Sequence, residues 1–597
     1  MTAQSFYEEK VRLLLEAITS SKRKLVLSAL FRMVSFLVSV ISGYLFFREH
    51  QGVLLLLSIL FFLLFLMLVV FAVRLKERKA LQEKLLFICN NELGVLRNEP
   101  NQMDDGREYS NTDSYSADLD IFGPRSLFHV LNRCTTSHGK TALANALEHP
   151  LQDAATIKKH QEAVQILATQ PEERLQTIAQ GLLYGEKEGN LHNLETWLQP
   201  ATRLHKMKWL RFVLWMVPLY NISSFLYYLA TDNILPFLAG FAVAWIITAR
   251  YAKYIHQQHL HIGKKQGILH QYSGILKSFL NVGPGKSVLL EQLRQTALHA
   301  HVAIGRLAKL SSFFDQRLNL LVNLFLNSFL LYDLRCLLAL EHWKEANRKS
   351  FPEWLSTVGN MECLQSLASF AWHHPHYCYP EIQEGEFAFI SAEEMGHPLI
   401  AVDERIANSF EAGKHNRLLL ITGSNMSGKT TFLRTLGVNL ILAQNGAPVC
   451  AKSFSCIPME ILTAIRVNDS LQEHTSYFMA ELKRLQHIIE RLHHSRSALV
   501  LIDEILRGTN SEDKTYGSEQ FILQLLRYNC ITLFATHDLS LGKLETTHEG
   551  KISNYCFESS IADDKLFFDY KLRSGIATNK NASFLMKQMG ILNPASQ

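Results

Sequence analysis

Nine cysteines in 597 residues are few, and none forms a Cys-x-x-Cys pair or stands at metal-ligand spacing. This excludes a disulfide framework and reads as reduced thiols in a cytoplasmic compartment. Charge of one sign is scarce too. Sixty Lys and Arg against 55 Asp and Glu leave a net charge of +5, too mild to demand or to exclude nucleic acid. Two histidine-rich stretches, "HQQHLH" (256–261) and "HHPHYC" (373–378), lack a second ligand set at zinc-site spacing and read as solvated or packed side chains. The chain is too long for one core; at roughly 150 residues per domain it suggests three or four units.

Long apolar runs are present and unevenly placed. Tracts at about 25–47 and 52–73 each approach the ~20 residues that a helix needs to cross a hydrocarbon core, with only "REHQ" between them. They predict a transmembrane hairpin. A signal peptide fits poorly, because about two dozen polar and charged residues precede the first tract and a second span follows at once. Arg32 inside the first tract costs about 3 kcal/mol at mid-bilayer unless it snorkels. A second hairpin is predicted at about 209–230 and 234–250, with "TDN" at its turn and aromatic residues at its ends. Lys and Arg gather at Lys22–Lys24, Lys76–Lys79, Arg203–Arg211 and Arg250–Lys253, whereas the two turns hold only Arg48. The positive-inside rule then makes the chain multi-pass with four spans, both termini and the large segments being cytoplasmic. The apolar stretch 318–340 carries Asn319, Asn323 and Asn327 at helical spacing, followed by Asp333 and Arg335, and reads as a buried soluble helix rather than a fifth span.

Residues 98–118 are polar, turn-rich and short of aliphatics, which predicts a linker. From 119 to 380 the pattern is helical, interrupted by the second hairpin. From 381 to 597 short apolar strands alternate with helices, as in an α/β domain. The first unit is 1–97 with its hairpin. The fold class is therefore multidomain α plus α/β.

The C-terminal part carries the chemistry. Gly423-x4-Gly428-Lys429-Thr430 follows the strand "LLLIT" and opens a helix, the context of a phosphate-binding P-loop. In such a loop the backbone N–H groups of Gly423, Ser424, Asn425, Met426, Ser427, Gly428 and the residues that follow cradle phosphates at a helix N-terminus. Lys429 meets the β/γ oxygens, and the Thr430 hydroxyl reaches Mg²⁺, with Thr431 next in the helix. "ALVLIDE" (498–504) is a buried strand ending in two carboxylates, where Asp503 can hold the metal and Glu504 can polarise an attacking water. "ITLFATH" (531–537) sets His537 at the end of another strand, in position to sense a γ-phosphate. Lys429, Glu504 and His537 are the catalytic candidates, Thr430 and Asp503 the metal ligands, and ATP with Mg²⁺ the implied cofactors.

"TGSNMSGKTTFLR", "SYFMAEL" (476–482), "LVLIDEILRGTN" (499–510) and "TLFATH" together resemble the ATPase domain of the MutS family, relatives of the ABC-type ATPases. The resemblance extends to 126–167, similar to the family's helical core, to "GHPLI" (396–400), to Gln444-x-Gly446 and to 567–591. It covers roughly 119–205 and 255–592. It implies a homodimer through the ATPase domains, in which Ser476 of one subunit contacts nucleotide held by the other; Ser476 also suits a plain helix N-cap. Within the loop, Asn425 is a phosphate contact and Met426 a packing residue.

The departures carry as much weight. No region resembles the family's mismatch-recognition domain, whose place the first hairpin and the linker take. The second hairpin stands where DNA-binding members carry a clamp between lever helices, so the levers are expected to end in lipid. Arg405 stands where repair members often have an adenine-stacking aromatic; a guanidinium can stack, and a surface arginine is the alternative. Lys264-Lys265 and Lys76–Lys79 suit anionic lipid as well as nucleic acid. The leading expectation is a membrane-anchored MutS-like ATPase. A membrane-tethered protein that still binds DNA is the second, and an ABC-type transporter the third, weakened by the small number of spans and the lack of a glycine-rich contact motif.

Overall fold

The computed structural model describes residues 2–111, 114–184, 197–198, 207–263, 265–413, 415–466, 477–506, 510–562 and 565–578. Its first two helices, α1 (Ala3–Glu49) and α2 (Gly52–Leu96), form a long hairpin. At 1.5 Å per residue each is about 70 Å long, more than twice a hydrocarbon core. Both are apolar and long enough to cross a membrane by composition. Leucine, valine and phenylalanine cover the outside of the apolar half, while Ser28, Ser35, Ser39 and Ser42 of α1 are buried. Ser39 and Ser58 each donate to the other's backbone carbonyl at 2.9 Å. Small residues of this kind let two helices approach closely and join by hydrogen bonds.

The remaining halves of α1 and α2 pack on the protein body. Tyr7, Leu85, Ile88 and Cys89 bury against Leu175, Ile178 and Ala179 of a later helix. Beneath this layer lies a charged joint: Arg133 donates to Glu92 at 2.5 and 2.8 Å, and His373 lies 3.2 Å from both Glu92 and Tyr7 Oη. All four residues are buried. A buried pair of this type holds only because each charge is matched and hydrogen-bonded.

The body is helical. It contains α3 (Ser137–Glu148), α4 (Ala154–Ala168), α5 (Pro171–Tyr184), the hairpin α6 (Lys208–Thr231) and α7 (Leu235–Ile262), then α8 (Gln266–Phe279), α9 (Val288–Asp315), α10 (Leu320–Leu330), α11 (Tyr332–Asn347) and α12 (Phe351–His373). The start of α3 is locked onto α12. Glu362 accepts from the backbone N–H and the hydroxyl of both Thr135 and Thr136, at 2.5–3.2 Å. A Cβ on Gly139 would lie 1.9 Å from the Glu362 carboxylate, so only glycine fits there. Helices α6 and α7 also qualify by composition as membrane spans.

Two features differ from the sequence reading. Within residues 98–118, Asn101, Ser116 and Asp118 are buried polar groups rather than parts of a solvated linker. Asn101 donates to the carbonyls of His129 and Asn132 at 2.7 and 2.9 Å, and Asp118 is buried against Thr463, Arg466 and Arg484. The stretch 318–340 is not one buried helix. It bends by 78° at Leu331, a left-handed residue (φ 51°), and α10 leaves Leu321 and Phe325 exposed.

The C-terminal α/β unit has two sheets. The smaller runs in the order β1 (Glu381–Ile382), β5 (Ser453–Cys456), β2 (Ile390–Met395), β3 (Asn408–Ala412). The larger runs β10 (Lys565–Ser574), β9 (Ile552–Ala562), β4 (Leu418–Gly423), β8 (Cys530–Thr536), β7 (Ala498–Asp503), β6 (Glu460–Ala464). All its pairings are parallel except β10 with β9. Strands β4, β7 and β8 are almost wholly buried, which explains their unbroken apolar runs. Helix α13 (Lys429–Gln444) follows β4 after the loop 424–428 and is covered along most of its length. Its end meets the helical body: Gln444 donates to the Leu151 carbonyl at 3.1 Å, and a Cβ on Gly446 (φ 77°) would strike the backbone of Gln161 at 2.6 Å. After α13 come α14 (Tyr477–His494) and α15 (Ser511–Leu525).

Candidate functional site

Register alone assembles the site. Thr422 pairs with Thr536 across β4 and β8, and Asp503 with Ala535 across β7 and β8. Gly423, Glu504 and His537 therefore leave the sheet at one edge, the C-terminal edge of parallel strands where α/β proteins hold ligands. A cleft of about 870 Å³ opens there. Ser424, Asn425, Met426, Ser427, Gly428, Lys429, Thr430, Thr431, Asp503, Glu504 and His537 line it, together with Ile406 and Tyr570.

The loop between β4 and α13 depends on its glycines. Gly423 has φ 154° and Gly428 φ 104°, and a Cβ on Gly428 would stand 3.0 Å from the Tyr570 ring. Lys429 Nζ donates to the carbonyls of Gly423 and Ser424 at 2.8 and 2.9 Å, which arches the loop over the helix start. The Thr430 hydroxyl donates to Asp503 at 2.5 Å. Two hard oxygen ligands are thus side by side, the donor set that Mg²⁺ takes in phosphate sites. The Ser427 hydroxyl is buried in the loop with no hydrogen-bond partner among the described residues. An acceptor-rich anion in the cleft would satisfy it. The residues fit a magnesium nucleotide.

Glu504 is in the left-handed region (φ 56°), its N–H donating to the Ala535 carbonyl at 2.9 Å. Its carboxylate meets Lys514 of α15 at 2.5 Å. His537 sits across the cleft; desolvation, then the Lys429 ammonium, lowers its pKa below the ordinary histidine value, while Glu504, the Gly423 backbone and Asp503 pull the other way. The net direction favours the neutral ring, which the Gly423 backbone also engages by a hydrogen bond.

Some sequence expectations fail here. Met426 is not a packing residue: it occupies a left-handed position (φ 65°) and is 81% exposed above the cleft. Arg405 lines the cleft, half-buried and held by its neighbours. It donates to the Ile400 carbonyl at 2.6 and 3.1 Å and lies 5.6 Å from the Tyr377 ring centre, so Ile406 is the exposed apolar side chain on that wall. Ser476 lies outside the described residues. Lys514 and Tyr570 escaped the sequence reading because neither sits in a motif; they arrive from α15 and from the irregular β9–β10 pairing. Asp120 escaped too, although it holds Arg434 of α13 and Arg466 at 2.7 Å each and so ties the helical body to the helix behind the loop.

A helical body joined to an α/β unit, with a glycine loop, a hydroxyl–carboxylate pair and a histidine gathered at one sheet edge, defines a multidomain α plus α/β protein. Comparison with known proteins gives the particular relationship. Residues 108–210 match the family model of MutS domain III, and residues 419–591 that of MutS domain V. The DNA mismatch repair protein MutS of Clostridium kluyveri (strain NBRC 12016) is 33% identical over 243 residues, 39% of this chain and 27% of the relative. That of Clostridium botulinum (strain Hall) is 34% identical over 246 residues, 40% of this chain and 26% of the relative. The chain is a relative of the MutS proteins, matched through domains III and V. It spans about a quarter of the length of the curated relatives.

Proposed function

We propose that this protein is a membrane-anchored, MutS-like ATPase that hydrolyses ATP to ADP and phosphate and works as a homodimer. The observation that carries this reading is the convergence of the 423–431 loop, the Thr430–Asp503 pair, Glu504 and His537 on one cleft. The loop N–H groups bind the phosphates and Lys429 orients the β and γ groups. Mg²⁺, held by Thr430 and Asp503, neutralises phosphate charge when bound. Glu504 takes a proton from the attacking water as the bond between the γ phosphorus and the bridging oxygen breaks, and His537 donates to a γ-phosphate oxygen. Tyr570 and Ile406 frame the entrance from two sides.

Membrane anchoring rests on four helices long and apolar enough to span a bilayer, two in α1–α2 and two in α6–α7. Both termini and the ATPase unit are cytoplasmic in this reading. Helices α8 and α9 act as levers between the ATPase unit and the membrane segments. The dimer, with Ser476 acting across it, follows from family likeness.

Replacing Glu504 with Gln tests the assignment. In nanodiscs this variant is expected to bind ATP while hydrolysing it about 10²-fold or more slowly, the scale of a lost general base. Turnover at the unsubstituted rate would overturn it. A second reading, a membrane-tethered DNA-binding protein, is favoured by the match to domain III and by the relatives' role in DNA mismatch repair.

A further inference from the structure

Between the lever helix α9 and helix α11 the chain makes an excursion that neither anchor hairpin accounts for. Residues 318–332 contain no charged side chain. Helix α10 is 11 residues long, about 16 Å, roughly half of a ~30 Å hydrocarbon core. It can enter a bilayer but cannot cross it.

Its contacts with α7 give the direction of travel. At the end of α9, Asp315 lies 2.9 Å from His259. Further on, Trp245 Nε1 donates to Ser328 Oγ at 3.1 Å, and Phe329 sits 5.6 Å from Phe237, close to the α6–α7 turn. After the bend at Leu331 the contacts retreat: Tyr254 Oη donates to Glu341 at 2.6 Å. The partner positions on α7 run 259, 245, 237 and back to 254. The chain climbs the hairpin and returns on the side from which it came.

The side chains sort as a bilayer would sort them. Every polar group on α10 that is buried faces protein. Asn221 of α6 donates to the Ser328 carbonyl at 2.5 Å, Asn327 donates to Asn323, and Asn327 Oδ1 accepts from the Asp333 N–H at 2.9 Å. Asn327 is therefore turned inward, Asn323 is half-buried, and Asn319 caps the exposed start of the helix. Leu321 (67% exposed), Leu324 and Phe325 (62% exposed) of α10 are bare, as are Leu226, Leu229 and Leu238 of the hairpin. Inward polar groups joined by hydrogen bonds, although Asn221 Oδ1 and Asp333 Oδ1 lack hydrogen-bond partners among the described residues, and bare leucine and phenylalanine outside fit a surrounding in which no water can solvate a backbone.

We infer that residues 320–330 form a re-entrant membrane helix whose Leu321–Leu324–Phe325 face contacts lipid hydrocarbon. This rests on the reading of α6–α7 as a membrane hairpin. It makes the second membrane element a three-helix unit fused directly to the end of α9.

Nitroxide labels on single introduced cysteines in the full chain, reconstituted in phosphatidylcholine–phosphatidylglycerol vesicles, test it by collision with oxygen and with a water-soluble nickel chelate. Positions are Leu321→Cys and Phe325→Cys on α10, Leu226→Cys on α6, and Val302→Cys, exposed on α9. The unsubstituted chain supplies the background from native cysteines, all buried except the half-buried Cys378. Labels at 321 and 325 are expected to match 226: open to oxygen, closed to nickel. If they match 302 while 226 reports lipid, the re-entrant helix is wrong and the hairpin stands. If they are closed to both reagents, protein covers the face, a second copy included, and the lipid assignment falls. If 226 itself is open to nickel, the hairpin reading fails first and takes this inference with it.

Discussion

Three imidazoles at the joint between the helical body and the α/β unit make the protein acid-labile. Burial, with Arg133 and Arg174 nearby, holds His373 well below the ordinary histidine range. His374 is pushed down to about 3 by burial, His373 and Arg405, and His397 to about 4 by burial, Arg434 and Arg405. In the unfolded chain each takes up a proton near pH 6.5. The unfolded state thus binds more protons than the folded one below that pH, and stability falls as pH falls, by about 1.4 kcal/mol per unit for each ring. Between pH 7 and 5 this amounts to about 2 kcal/mol per imidazole and about 6 kcal/mol for the three, comparable with a whole domain's stability of about 5–15 kcal/mol. Glu362, raised by burial, works in the opposite sense. Unfolding free energy measured in detergent from pH 7.5 to 5 should fall steeply below 6.5. His374→Phe preserves the ring against Tyr377, which stacks at 4.5 Å, and should remove about a third of the slope. A flat profile in the unsubstituted chain, or an unchanged slope in the variant, refutes the reasoning.

Two further outcomes follow from other parts of the molecule. Gly139→Ala should destabilise the body by about 1–3 kcal/mol or more, because the added methyl displaces the Glu362 carboxylate from Thr135 and Thr136; thermal unfolding reads this, and a variant as stable as the parent would show that the α3–α12 lock is loose. The full chain in nanodiscs, titrated with duplex DNA at several salt concentrations, should show no steep salt dependence. A slope of about −0.9 for each of several neutralised phosphates would move the DNA-binding reading ahead of the lipid one.

What could be read from the sequence is what is local. A glycine loop after an apolar strand, an acid pair at the end of a second and a histidine at the end of a third are each written within a dozen residues, and parallel register brings them together. The apolar tracts were visible for the same reason, but 25–47 and 52–73 are only the greasy halves of helices that run over Ala3–Glu49 and Gly52–Leu96. The other halves are amphipathic and packed on protein, so hydropathy is silent about them. Residues 98–118 look like a linker because buried asparagine and aspartate are spelled like exposed ones; only the carbonyls and arginines they meet, up to hundreds of residues away, reveal the difference. The Asn stripe at 319, 323 and 327 misled for a related reason. Periodicity gives a face, and it cannot tell whether that face turns toward water, protein or another membrane helix.

Helix α12 brings these parts into one physical account. Its N-terminus follows α11 within a few residues, and α11 follows α10 and is bonded to the second hairpin through Tyr254 and Glu341. Its C-terminal His373 touches Tyr7 and Glu92, so the first hairpin is fastened to the same element through a buried Glu92–Arg133 pair that cannot be opened cheaply. The next residues, His374 and Tyr377, stack on each other and hold Arg405, whose guanidinium fixes one wall of the cleft. A change at the cleft that moved Arg405 would meet α12 before any lever. Both hairpins would then respond together rather than in turn, because a close-packed interior transmits strain between the helices it joins.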